Sequence, residues 1–190
     1  MAREVGRIPQ DDPLAFFLTW TTYGTWLPGD DRGWVAKPGE SLPPDEHIKG
    51  VAHSRLTEPP LILEQGQRQI VESTISEHYR VRGWCLHAVA CRSNHVHVVV
   101  SAGGRHPEEV MDQFKAWCTR KLKERDRTLE TVVVQTNWWT QRGSKRWIND
   151  ETSLTAAICY VKEGQACTEL EKCGLVNPMR KSVIHPRRVL

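Results

Sequence analysis

Residues 94–100 run Asn94-His95-Val96-His97-Val98-Val99-Val100, and the fold follows from how that run is read. A short apolar run rich in β-branched residues and bounded by Ser93 and Ser101 is a buried strand. Side chains alternate across a strand, so Val96, Val98 and Val100 share one face while His95, His97 and Val99 share the other. Same-face neighbours stand roughly 6.6–7 Å apart along the backbone. Two imidazoles at that spacing can lean onto one metal ion or one phosphate. The plainer alternative is a pair of half-buried histidines, each bonded to a neighbouring carbonyl.

The flanking sequence extends the strand into a sheet. Trp84 to Cys91 is a second strand, and Arg92-Ser93-Asn94 is short enough to join the two as an antiparallel hairpin. The simplest register sets Cys91 opposite His95 and Val89 opposite His97. A Cys-His-His zinc site is therefore a competing expectation, although no fourth ligand is evident. Upstream, Leu61 to Arg80 places Leu63, Ile70, Val71 and Ile75 at helical spacing. Ala15 to Tyr23 is aromatic and β-branched throughout, a first strand. Between them, residues 24–60 hold six of the eleven prolines and five glycines, so a long loop or insertion is expected there.

Downstream, His106-Pro107-Glu108-Glu109 has the proline and acids of a helix start. Val110, Met111, Phe114, Trp117, Cys118 and Leu122 continue that helix to about Arg125. Thr131 to Trp139 reads as a further strand, and Gln141 to Arg146 as a basic turn before a short strand at Trp147-Ile148. Asn149 or Asp150 caps a final helix that runs to about Gly164.

This order predicts an α+β fold of the ferredoxin-like or RRM-like split βαβ kind. An antiparallel sheet carries helices on its valine face and leaves an open histidine-bearing face, a known platform for nucleic acid. Residues 1–14 read as a flexible arm, 15–166 as the folded domain and 167–190 as a basic tail. That tail has no acidic residue after Glu171 but holds Lys172, Arg180, Lys181, Arg187 and Arg188. Such a run either stays solvated or lies along phosphates.

With 190 residues and a net charge of +3, the chain permits a nucleic-acid partner without requiring one. Its six cysteines include no Cys-x-x-Cys pair, which argues against a redox motif. It shows no signal peptide and no apolar run of about 18 residues, so no membrane association and a cytoplasmic location are expected. Most of its eight tryptophans are expected in the core, with some free to stack on unpaired bases. On the final helix, Leu154, Ala157, Ile158 and Val161 form the apolar stripe. Tyr160 falls about 130° from its centre at 100° per residue, between the small residues Ala156 and Gly164.

Three features in order resemble the single-tyrosine HUH transposases, which include small insertion-sequence transposases and REP-associated tyrosine transposases. They are Ser93-Asn94-His95-Val96-His97, Trp138-Trp139 with Arg142-Gly143-Ser144, and Tyr160-Val161 with Gln165. The resemblance spans roughly residues 15–165. It implies that His95 and His97 hold a divalent cation, Mg²⁺ or Mn²⁺, on the scissile phosphate of single-stranded, hairpin-flanked DNA. It implies Tyr160 as the nucleophile that forms a 5′-phosphotyrosine, in a metal-dependent endonuclease and strand transferase. Arg92, Arg142, Lys145 and Arg146 become phosphate contacts. The family's third ligand stands one helical turn after the tyrosine, where this chain has Gly164. Gln165 is the substitute, with Glu163 as the other candidate. Relatives include homodimers that exchange the tyrosine helix and monomers that do not. Two other classes of function are weighed beside this one: a non-catalytic single-strand nucleic-acid-binding module and a structural zinc protein.

Overall fold

The chain is described here from a computed structural model covering residues 13–36, 40–129 and 135–163. Its elements in order are β1 (Ala15–Thr21), β2 (Trp34–Val35), β3 (Ser41–Leu42), α1 (Glu46–Ser54), α2 (Gln65–Arg82), β4 (Cys85–Cys91), β5 (His95–Ser101), α3 (Pro107–Thr128), β6 (Ser144–Ile148) and α4 (Glu151–Glu163). Four strands form one antiparallel sheet in the order β4-β5-β1-β6. Setting aside β2, β3 and α1, this is the expected split βαβ arrangement.

The period of two in β1 and β5 decides which side becomes the core. Phe16, Leu18, Trp20, Val96, Val98 and Val100 meet Val71 and Ile75 of α2 and Val110, Phe114, Cys118 and Leu122 of α3. Burying each large apolar side chain there contributes roughly 1.5–3 kcal/mol, before the entropy of ordering is charged. Local signals set the helix ends. The Glu64 amide donates to Gln67 Oε1 at 3.1 Å to open α2, and Gly83 closes it in the left-handed region with φ 66°. Pro107 opens α3, and no described helix is long and apolar enough to cross a membrane.

Four details depart from expectation. First, the histidine face is not bare. Ala15, Phe17, Ala88, Val99 and Ile148 of the sheet pack on Ala156, Ala157 and Val161 of α4. The buried stripe is rotated towards Ala156, with Leu154 and Ile158 only partly covered, because two adjacent alanines let the helix approach closely. That rotation brings Tyr160 to the margin of the stripe.

Second, the hairpin closes with the Arg92 amide on the His95 carbonyl, so Cys91 pairs with Val96 and Ala90 with His97, and an irregularity between Leu86 and Ala88 shifts the register only farther out along β4. Cys91 thus joins the valine-side core, where burial pushes its thiol up to about 12. The zinc expectation loses its cysteine. Third, Ser144, Lys145 and Arg146 lie within β6 rather than in a turn. Of the expected strand 131–139, residues 131–134 are outside the described residues. The remainder makes one bridge, Trp139 to Thr22, while Trp138 is buried in the core.

Fourth, residues 24–60 contain β2, β3 and α1 and are tied by their own bonds. Asp30 pairs with Arg32 at 2.7 Å and Asp31 with Lys49 at 2.6 Å. Trp26 Nε1 donates to the Gly33 carbonyl at 2.9 Å. Gly29, at φ 83°, leaves no room for a Cβ, which would lie 2.2 Å from the Asp45 carbonyl oxygen. Glu58 closes the segment by accepting backbone donors of Thr136 and Asn137. Residues 1–12 and 164–190 fall outside the described residues. The expected tail and nearly all of the expected arm are among them.

Candidate functional site

Cross-strand pairing builds the site one row at a time. On the face away from the main core, Thr21 of β1 stands opposite His95, and Thr19 stands between His97 on one side and Ser144 on the other. The next row places Phe17 between Val99 and Arg146. The imidazole centroids of His95 and His97 are 4.7 Å apart. Each ring is held through Nδ1, His97 by Thr19 Oγ1 at 2.8 Å and His95 by Asn94 Oδ1 at 2.8 Å.

Tyr160 reaches this row from α4 of the same chain. Its ring centre is 5.4 Å from that of His97 and 5.9 Å from that of Phe17, edge-on to both. Phe17 also touches His97 at 5.6 Å, so the three rings brace one another. Offset and edge-on ring pairs of this kind contribute about 0.5–1.5 kcal/mol beyond their burial. α4 is aimed by its first turn, where Asp150 Oδ1 accepts the Ser153 amide at 2.8 Å. That bond holds the Asp150 carboxyl below its ordinary value.

The donor set fits an exchangeable divalent cation. Two imidazoles oriented through their Nδ1 atoms can offer Nε2 lone pairs, and substrate phosphate and water complete the shell of such an ion. Among the described residues, no group of three histidine, cysteine or acidic side chains converges as a closed metal cage. Gln165 lies outside the described residues. Glu163 is on the last turn of α4, where its Oε2 accepts from Cys159 Sγ at 3.1 Å.

The four expected phosphate contacts separate. Arg146 shares the histidine face, opposite Phe17. Lys145 pairs with Leu18, on the helix side of the sheet, and is engaged there by Glu108 of α3. Alternation along β6 therefore turns it away from the histidines. Arg92 lies in the β4–β5 turn, where its amide donates to the His95 carbonyl at 2.8 Å. Arg142 is exposed, and its carbonyl accepts from Lys115 Nζ at 3.2 Å.

Sequence reading missed Thr19 and Asn94 as ring holders, and Gly143. An ideal Cβ on Gly143 would lie 2.5 Å from the Thr19 carbonyl oxygen and 2.7 Å from Met111 Sδ, so the turn before β6 is pressed against β1. A glycine ahead of a basic strand is a visible signal, but its neighbour across the sheet is not.

A family model described as "Transposase IS200 like" matches residues 60–163. A REP-associated tyrosine transposase, solved bound to a REP hairpin, is similar in structure with a TM-score of 0.50. It is 14% identical, and the match covers 92% of this chain and 76% of that one. A crystal structure from Deinococcus radiodurans R1, of a protein provisionally called a transposase, gives a TM-score of 0.41 at 15% identity, covering 86% and 97%. Comparison with curated proteins finds no match.

Proposed function

This chain belongs to the IS200-like transposase family, and from that premise we propose that it cuts and rejoins single-stranded DNA through Tyr160. The observation that carries the reading is the shared row: two imidazoles 4.7 Å apart with the Tyr160 ring 5.4 Å from one of them. A phenol beside a pair of metal-type ligands is the arrangement that phosphoryl transfer to tyrosine needs.

In the proposed reaction the Tyr160 oxygen attacks phosphorus in line with the departing 3′ oxygen. A phosphotyrosine ester forms on the 5′ side as the P–O3′ bond breaks. The phenol gives up a proton and the released 3′ oxygen gains one. One ester replaces another, so a second 3′-hydroxyl can reverse the step without ATP. His95 and His97 would hold a Mg²⁺ or Mn²⁺ ion, with Gln165 or Glu163 as the proposed third ligand. The ion supplies charge neutralisation at the scissile phosphate when bound.

Arg146, on the same face, is the favoured phosphate contact, with Arg92 and Arg142 flanking. Lys145 is committed to Glu108 in this structure and has a smaller share in the proposal. Hairpin-flanked single strands are the proposed substrate, in keeping with the family and with the hairpin held by the neighbour of like fold.

The test is an adduct assay. Incubation with a hairpin-flanked single strand and Mn²⁺ is expected to give a denaturant-resistant protein–DNA band. That band should disappear with EDTA, with His97→Ala and with Tyr160→Phe. Tyr23 and Tyr79 are the only other tyrosines. An adduct that persists in Tyr160→Phe would refute the assignment. DNA binding without any adduct, insensitive to EDTA, would instead indicate a non-catalytic binding module.

A further inference from the structure

We propose that Thr19 and Asn94 are positioning residues that hold His97 and His95 in the Nδ1–H form, making Nε2 of each ring the atom offered to a divalent cation. The proposal rests on the metal-site reading above.

The His95 bond fixes the direction. An amide oxygen only accepts, so Asn94 Oδ1 at 2.8 Å requires the proton on His95 Nδ1. The neutral ring then carries its lone pair on Nε2. A metal binds only that unprotonated nitrogen. His97 follows by the same logic when the Thr19 hydroxyl, 2.8 Å from Nδ1, acts as acceptor.

Both holders are themselves anchored. Thr19 sits mid-strand with 9% exposure, between His97 and Ser144, with Gly143 packed on its carbonyl. The carbonyl of Asn94 accepts from the Thr22 amide at 2.9 Å, Thr22 Oγ1 at 3.2 Å and Thr25 Oγ1 at 3.3 Å. Thr22 is fully buried. His97 is thus aimed from β1, and the residue that aims His95 is braced by the residues that continue β1, a strand that supplies no metal ligand of its own.

Neither holder carries charge. A carboxylate behind a metal-bound imidazole raises the basicity of the ring, and a hydroxyl or amide does so less. The pair therefore suits a more weakly held, exchangeable ion than a carboxylate-backed pair would hold.

Two measurements test this. Long-range ¹H–¹⁵N NMR of the metal-free protein reads the tautomers directly, and the Nδ1–H pattern is expected at both rings. Titration with Mn²⁺ followed by electron paramagnetic resonance reads affinity without DNA or catalysis. Losing an orienting partner weakens metal binding about 10–100-fold. Thr19→Val should show that loss and Thr19→Ser should restore binding, with circular dichroism confirming the fold. Asn94→Ala, at a half-exposed turn residue, should weaken binding even if Thr19→Val does not fold. Asn94→Asp should tighten it. An Nε2–H tautomer at either ring, or unchanged Mn²⁺ affinity in folded Thr19→Val and Asn94→Ala, overturns the proposal. Wild-type protein with the Nδ1–H pattern but no Mn²⁺ binding would sink the metal reading while leaving the ring assignment standing.

Discussion

Gly143 shows how little space surrounds the site. A methyl group there would stand 2.5 Å from the Thr19 carbonyl oxygen, and a strand flanked on both edges has nowhere to retreat. Gly143→Ala is therefore expected to cost about 1–3 kcal/mol through overpacking and to lower adduct yield by shifting Thr19 from His97. Thermal melts and the adduct assay check both; an unchanged melting temperature would show that the turn yields freely. At this scale the histidines and Tyr160 were legible, because their chemistry is rare at such positions in a strand and a helix. Thr19 was not. Threonine is ordinary in strands, and its role exists only through a histidine 78 residues away.

Between elements, the segment before β6 depends on a buried amine. Lys115 of α3, with 7% exposure, donates from Nζ to the carbonyls of Thr140 at 2.8 Å and Arg142 at 3.2 Å. Burial, the largest cause, pushes its pKa down to about 8 from the ordinary 10.5. The folded chain then releases this proton before the unfolded chain does. Between those two pH values the unfolded state holds more protons, so stability rises with pH; below about 8 the penalty is constant. The wild type should therefore gain on Lys115→Met as pH climbs from 7 to 10, by up to about 3 kcal/mol for the full shift. Urea unfolding of the two proteins side by side measures that gap, and a gap independent of pH would contradict it. A neutral amine keeps two N–H donors, enough for both carbonyls.

The same scale explains what the sequence concealed. Most helix and strand identities followed from periodicity, residues 135–139 with their single bridge being an exception, whereas the register of β4 on β5 turned on how the Arg92–Asn94 connection closes. One residue of slip moves every side chain to the opposite face, so it exchanged a supposed zinc cysteine for a core cysteine. Lys145 was misplaced for a different reason, as a turn residue where the chain makes a strand. In a turn it was free to meet phosphate, but in β6 its place in the alternation is fixed.

For the whole molecule, the decisive fact is that Tyr160 touches the His97 of its own chain. On the proposed reading each protomer then pairs its own histidines with its own tyrosine, and two defective proteins are expected not to repair each other. Mixing His95→Ala/His97→Ala protein with Tyr160→Phe protein should yield no adduct on hairpin-flanked DNA. Recovery of a substantial part of wild-type yield would mean that α4 crosses to a partner. The proposed phosphate contacts add a second expectation. Binding should weaken as salt rises, and Arg146→Ala should reduce the slope of log affinity against log salt by about 0.7, one single-strand phosphate contact.

The row that joins Thr19, His97, Ser144 and Tyr160 draws on four elements spread from the first strand to the last described helix. During synthesis the imidazoles leave the ribosome more than sixty residues ahead of the phenol that would attack. Until α4 has emerged and docked, the histidine pair stands without the phenol that the proposed reaction uses. On the proposed reading, a message broken anywhere upstream of codon 160 yields a product without the nucleophile, and cutting waits for α4 to dock.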